Sequence, residues 1–289
     1  MKFSLLRLAN IRSLFAPSLQ QCLICGKHSQ PATELPGVCA GCEAAIPWIR
    51  CPRCSKCGRH VGCSDCTRSS EPGPLVCNRS AVAYTSVMRE ILGRYKYRGD
   101  EKLASILGLM LDRAYSILKE EREQLMHSRL PVQSRFSNNI IFSVRKSERN
   151  LLWQADLLVP VPVSDSRLVE RGFNQAERLT EILSRHRGIP QLPLLIRTHH
   201  TGKQSFKTRA ERLADMKHAF AASRDSKVLS SFEDLLESLN PQDRPLQIII
   251  IDDIYTTGST IRACAETIIR LSASLGCTAE IYSLTWARS

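Results

Sequence analysis

One stretch of this chain leaves little choice of fold. Residues 247–260 read QIIIIDDIYTTGST: four consecutive isoleucines, two aspartates, then hydroxyl side chains around a single glycine. An unbroken β-branched run has no polar face, so it suits a parallel strand covered on both sides. In such sheets ligands gather at the carboxyl ends of the strands, which is where Asp252 and Asp253 are delivered. Thr256, Thr257, Gly258, Ser259 and Thr260 then form a tight loop into a helix expected over Ser259–Leu275. Gly258 permits a positive φ and close backbone approach. Loop amides, hydroxyls and the helix N-terminus offer donors and positive potential to a phosphate. The carboxylates would repel that phosphate and instead suit the hydroxyls of an attached sugar, with or without a metal's help. The plainer alternative is a buried strand followed by an ordinary capped helix. The chain has no GxxxxGK[ST], which excludes a P-loop, and no GxGxxG follows a strand, so a dinucleotide fold is unsupported.

The rest of the chain supplies partners for that strand. DLLVPVPV (156–163) reads as a second buried strand, Asn174–His186 as an amphipathic helix, and Ala279–Ala287 as a final strand. From Ser80 to about Lys119 apolar residues recur at helical spacing, divided by KYRGD (96–100). Residues 121–150 are polar and basic, as in a surface insertion, and 223–245 read as a connector with a short helix. Strands alternating with helices imply an α/β fold with a mainly parallel sheet. Three segments are expected: an amphipathic segment (1–20), a cysteine-rich module (21–78) and the α/β domain (80–289).

Basic residues cluster in three places. Lys96 and Arg98 lie in KYRGD, Arg167 and Arg171 in SDSRLVERGFNQ, and Arg197, Lys203, Lys207, Arg209 and Arg212 in a loop that also holds Gln204. Taken singly, each reads as a solvated face. Beside a phosphate loop, Lys96, Arg171, Gln204 and Arg209 become candidates to meet a second anionic group. The formal charge of +12 points the same way, towards polyanions such as nucleic acid or phosphorylated metabolites.

Ten of the twelve cysteines fall between Cys22 and Cys77. Cys22-x2-Cys25 and Cys39-x2-Cys42 are spaced as two knuckles closing one tetrahedral zinc site. A second site has five candidates. Cys54, Cys57, Cys63 and Cys66 are preferred because Gly58 follows Cys57 as Gly26 follows Cys25, but Cys51 in place of Cys57 leaves a loop nearer to ribbon length. About two structural zinc ions are expected. Cys77, Cys264 and Cys277 read as small apolar residues. The start of the chain lacks an uninterrupted apolar core or a cleavage site, and no run of 18 apolar residues occurs, so a cytoplasmic protein without a transmembrane segment is expected.

The segment around Asp252 closely resembles the ribose 5-phosphate motif of type I phosphoribosyltransferases. Together with the cysteine pairs, KYRGD, PVP, RGFNQ and the basic loop, in that order, the chain is similar to the ComF/GntX family of competence-associated phosphoribosyltransferase-like proteins. The resemblance covers nearly everything from Cys22 onward. It implies a type I phosphoribosyltransferase-like domain behind a double zinc ribbon. Asp252 and Asp253 would contact the ribose hydroxyls of phosphoribosyl pyrophosphate, or a similar sugar phosphate. Thr256–Thr260 would hold its 5′-phosphate, Mg²⁺ would travel with the pyrophosphate, and phosphoribosyl would pass to a nitrogen base. One departure is Asp215, where the family usually has Asn; it is left off the site. A second function also follows from the resemblance: handling of single-stranded DNA in uptake, alongside competence proteins and with little or no transfer. A third is phosphate sensing without turnover. Few aromatics (6%) argue mildly against extensive base stacking along a strand.

Overall fold

In the computed structural model the described residues are 19–68, 73–97, 100–128, 152–198, 219–239 and 244–289. The chain divides into two compact units, 1–46 and 47–289. The boundary therefore falls inside the cysteine-rich stretch 21–78, and the second group of cysteines belongs to the same unit as the sheet.

The first unit is small. Strands β1 (Gln20–Gln21) and β2 (His28–Ser29) pair antiparallel, and α1 (Ala40–Ala44) follows a bridge between Pro31 and Cys39. Its interior holds little more than Leu35, Val38 and Ile46. A core of this size rarely holds a fold by itself, so a metal cross-link is the expected source of stability.

The second unit is built on a four-stranded sheet of order β3-β8-β7-β4 with every pair parallel. Its elements are α2 (Ser64–Arg68), β3 (Cys77–Ala83), α3 (Ser86–Tyr97), α4 (Lys102–Ser128), β4 (Leu157–Pro160), α5 (Asp165–Arg171), α6 (Gln175–Arg187), β5 (Leu195–Arg197), β6 (Phe220–Ala222), α7 (Ser226–Leu239), β7 (Leu246–Tyr255), α8 (Ser259–Ser274) and β8 (Ala279–Arg288). The isoleucine run is central strand β7, with Ile248–Ile251 wholly buried between β4 and β8. Ile248 and Ile250 share a core with Ile261, Ala265 and Ile268 of α8 and with Phe232 and Leu236 of α7. Strand alternation sends Ile249 and Ile251 to the opposite face. Burying each such side chain contributes about 1.5–3 kcal/mol, so this strand anchors the unit.

α4 and α6 pack closely against each other. A Cβ on Gly108 would come within 2.5 Å of Ile182 Cγ2, and Arg187 Nη2 donates to Asp112 Oδ2 at 2.9 Å. α4 runs on to Ser128, with Glu121 paired to Arg79 and Glu123 to Lys119, so any insertion begins no earlier than residue 129; residues 129–151 lie outside the described residues. The connector 223–245 carries the helix expected there, α7, which at 14 residues is longer than a short one. One further expectation needs correction. The segment expected to turn helical at Ser80 first completes strand β3.

β3 is an edge strand, and its outer edge is covered. Asn78 N donates to Lys56 O, Ile49 N to Ala81 O, and Ala83 N to Pro47 O. The segment carrying the second cysteine group thus satisfies backbone donors that an open edge would present for aggregation.

Candidate functional site

Asp252 and Asp253 lie towards the carboxyl end of β7, with Asp252 in register with Thr285 of β8. Asp253 N donates to Asp252 Oδ1 at 2.8 Å, bending the first carboxylate back on its own strand. Lys96 Nζ of α3 reaches Asp253 Oδ2 at 2.5 Å, so KYRGD and the double aspartate meet in space. Burial, and next the charge of Asp253, push the pKa of Asp252 up to about 7. Lys96, Arg197 and the Asp253 amide oppose that shift without cancelling it. The pair therefore holds one carboxylate neutralised by lysine and one that takes a proton readily, an arrangement able both to accept from and to donate to sugar hydroxyls.

The chain then turns. Gly258 sits at φ 77° as the N-cap of α8, with no side-chain cap hydrogen bond on the helix. A Cβ there would lie 2.1 Å from Tyr255 Oη, so the buried tyrosine fills the space beneath the loop and only glycine fits above it. Burial holds the Tyr255 hydroxyl up at about 12. Thr257 Oγ1 and Ser259 Oγ are 3.1 Å apart, while Thr256 is exposed. Arg262, in the first turn of α8, donates from Nη2 to Thr257 O at 3.3 Å. A sixteen-residue helix whose N-cap is glycine, with hydroxyls on both sides and a guanidinium in its first turn, is electropositive at its N-terminus.

RGFNQ proves to be a turn with two caps. Gly172 ends α5 at φ 79°, and Asn174 caps α6 by accepting from Ala176 N while donating to Val161 O. Phe173 packs edge-on against Tyr95 of α3 at 5.3 Å, and Tyr95 Oη donates to Gln175 O. These contacts fix α3, and with it Lys96. Arg171 donates to Gln175 Oε1 at 2.8 Å and lies 5.0 Å over the ring of exposed Tyr97, the residue after Lys96. Its buried Nε has no hydrogen-bond partner among the described residues.

Arg197 is electrostatically linked to Asp252 and stacks on Phe220. Burial first, then the charge of Arg167, lower its pKa. Gln204 and Arg209 lie outside the described residues, as do Arg98, Lys203, Lys207, Arg212 and Asp215. Of the predicted site, the structure therefore brings together Lys96, Asp252, Asp253 and the loop Thr256–Thr260, and sets Arg171 beside Tyr97. Arg262 and Arg288 were missed in the sequence, because one stands inside a helix and the other at the end of a hydrophobic strand.

The cysteines form two groups, Cys22-Cys25-Cys39-Cys42 and Cys54-Cys57-Cys63-Cys66, each with all its sulfurs within 4.8 Å of one another. A tetrahedral zinc with Zn–S bonds of about 2.3 Å needs sulfurs about 3.8 Å apart. Cys25 and Cys39 sulfurs stand at 3.9 Å, and those of Cys57 and Cys63 at 3.5 Å. Backbone amides of Cys39, Cys42 and Cys57 point at Cys22, Cys39 and Cys54 sulfurs, as turns that stabilise thiolates do. Both groups fit structural zinc. Cys51 is exposed and outside the second group, while Cys77, Cys264 and Cys277 are buried. These two are the groups of three or more metal-ligating side chains found among the described residues, and no helix among those residues is long and apolar enough to cross a membrane.

Fold and site together define an α/β protein with two cysteine tetrads and a glycine-containing, hydroxyl-rich loop at the carboxyl edge of a parallel sheet. No protein-family model matches the chain. It is 30% identical over 260 residues to the competence protein ComFC of Bacillus subtilis, covering 87% of this chain and 84% of that one. It is 25% identical to the competence protein ComFC of Streptococcus pneumoniae (83% and 90% covered) and 24% identical to the DNA utilization protein YhgH of Escherichia coli K12 (82% and 86%). The chain belongs to the ComF family.

Proposed function

We propose that this protein serves in the uptake or use of DNA, and that the β7–α8 loop binds a ribose 5-phosphate group in the course of that work. The names of its relatives support the first half. The second half is supported by one arrangement: Asp252 and Asp253 end the carboxyl side of β7, and the hydroxyl-rich turn that follows enters α8 through Gly258 in the left-handed conformation. Such a pairing serves a phosphate and a sugar diol at once. A 5′-phosphorylated end of single-stranded DNA and phosphoribosyl pyrophosphate both carry the phosphate, but only the latter carries the diol. Two adjacent carboxyl groups, able to serve two adjacent hydroxyls, favour the ligand with the diol.

Transfer of phosphoribosyl to a base is a further step of this reading. Mg²⁺ would arrive on the pyrophosphate, because Asp253 is already engaged by Lys96. Arg171, Gln204 and Arg209 are the residues proposed to meet the leaving group, together with Lys96, whose ammonium would have to serve the ligand as well as Asp253. The deciding experiment pairs two titrations at several salt concentrations, one with phosphoribosyl pyrophosphate and Mg²⁺, one with a 5′-phosphorylated oligonucleotide. For single-stranded DNA the logarithm of affinity should fall with that of salt at about −0.7 per phosphate contacted. Release of pyrophosphate when bases are added establishes turnover. Binding of the sugar phosphate without release leaves a DNA-handling protein governed by a nucleotide-like ligand. Failure of both titrations overturns the proposal.

A further inference from the structure

The second cysteine group and the loop share one side chain. Arg288, 3% exposed at the end of β8, donates from Nε to Cys57 O at 3.1 Å and from Nη2 to Cys57 Sγ at 3.4 Å. Its Nη1 donates to Tyr255 O and to Thr256 O, both at 3.0 Å. The guanidinium also lies 4.8 Å over the ring of Tyr255, the tyrosine on which Gly258 rests. Ser289 N adds a bond to Tyr255 O at 3.1 Å. A buried arginine ordinarily finds a carboxylate. The partners of this one are oxygens of Cys57, Tyr255, Thr256 and Ser289 and a cysteine sulfur, and a zinc held by four thiolates would add a formal double negative charge beside the guanidinium.

The knuckle is also fixed to the sheet on its other side. Asn78 Nδ2 donates to Cys57 O at 3.2 Å, and Arg79 Nη1 donates to Ser55 O at 3.0 Å. Gly58, at φ 70°, lies so close to β3 that a Cβ would meet Asn78 O at 2.5 Å. Cys57 therefore cannot shift without moving either β3 or Arg288. We infer that Arg288 is a positioning residue through which the metal state of the Cys54-Cys57-Cys63-Cys66 site sets the shape of the Tyr255–Ser259 loop. The functional meaning of that coupling rests on the loop's being a ligand site; the coupling itself does not.

Amide hydrogen exchange of the full chain tests it, with native mass spectrometry counting the zinc ions. Cys63→Ser and Arg288→Met should each raise exchange of amides in 255–262 at least tenfold while 248–251 stay protected. Cys22→Ser should lose one zinc and leave loop exchange at the wild-type rate. If Cys63→Ser or Arg288→Met also exposes 248–251, Arg288→Lys decides. It keeps the charge and loses the fork, so loop exchange should still rise. Unchanged loop exchange in a folded Arg288→Lys or Arg288→Met chain overturns the inference. A parallel titration of wild type with ribose 5-phosphate keeps the two readings apart. Failure to bind removes the ligand site but leaves the exchange result, and hence the coupling, standing.

Discussion

Asp252→Asn keeps the shape of the side chain and its acceptance of the Asp253 amide hydrogen bond, and removes only the charge. In the folded chain the Asp252 carboxyl has a pKa of about 7 against an ordinary 3.8. The native state therefore holds this proton more tightly than the unfolded chain does. Its contribution to stability is intact below about pH 4 and is lost progressively as pH rises through about 7. Three units correspond to a ceiling of about 4 kcal/mol, of which about 2 kcal/mol is lost between pH 5.5 and 8. Asparagine does not pay this cost, so the variant should be the more stable chain, and its advantage should grow with pH by that amount. Urea denaturation of both chains at pH 5.5, 6.5, 7.5 and 8, followed by tryptophan fluorescence, measures the difference. All three tryptophans, Trp48, Trp153 and Trp286, lie in the second unit, so the signal reports on the domain that holds the site. An advantage that stays constant with pH, or a variant less stable than wild type at pH 8, refutes the account of the buried pair.

Other outcomes follow from the same geometry. Metal analysis of protein purified without chelator should give about two zinc per chain; a value near zero with the cysteines titrating as free thiols contradicts the tetrads. Gly258→Ala should destabilise the second unit by at least about 1–2 kcal/mol, measured by urea denaturation, because the new Cβ meets both a disfavoured φ and the buried Tyr255 ring. Lys96→Met leaves Asp253 without its cation. It should lower affinity for phosphoribosyl pyrophosphate about tenfold, seen by titration calorimetry, and should also raise the pKa of Asp252, which the lysine charge opposes.

The parts of the fold that announce themselves in sequence are those whose residues all serve one demand. β7 is all isoleucine because both of its faces are covered, and α6 begins at Asn174 because that side chain caps it. β3 was missed for the opposite reason. CNRSAVA reads as polar, yet Asn78, Arg79 and Ser80 are buried. Their polar groups are met by Cys57 O, Ser283 and Thr285, and by Glu121 at the far end of α4. No local pattern reveals partners so distant. The same limit hid Arg288, whose neighbours Cys57 and Thr256 come from two other parts of the chain. The loop itself was legible because glycine, hydroxyls and acids must stand in sequence order to line one turn. The clustering of charge pointed Lys96 at an anionic ligand group and not at Asp253; that ion pair depends on how α3 is held, with Tyr95 packed against Phe173.

The central claim, that the β7–α8 loop holds a ribose 5-phosphate, is tested most directly by calorimetric titration of that compound into wild type and into Ser259→Ala. The substitution suits the purpose because Ser259 opens α8, is only part-buried and contributes a hydroxyl at the loop's mouth. Wild type should bind one ribose 5-phosphate per chain, more tightly than it binds inorganic phosphate or ribose alone. The variant should bind several-fold more weakly, since it loses one donor worth roughly 0.5–1.5 kcal/mol. Equal affinity in the two chains, or no preference for the joined sugar and phosphate over either alone, would contradict the claim.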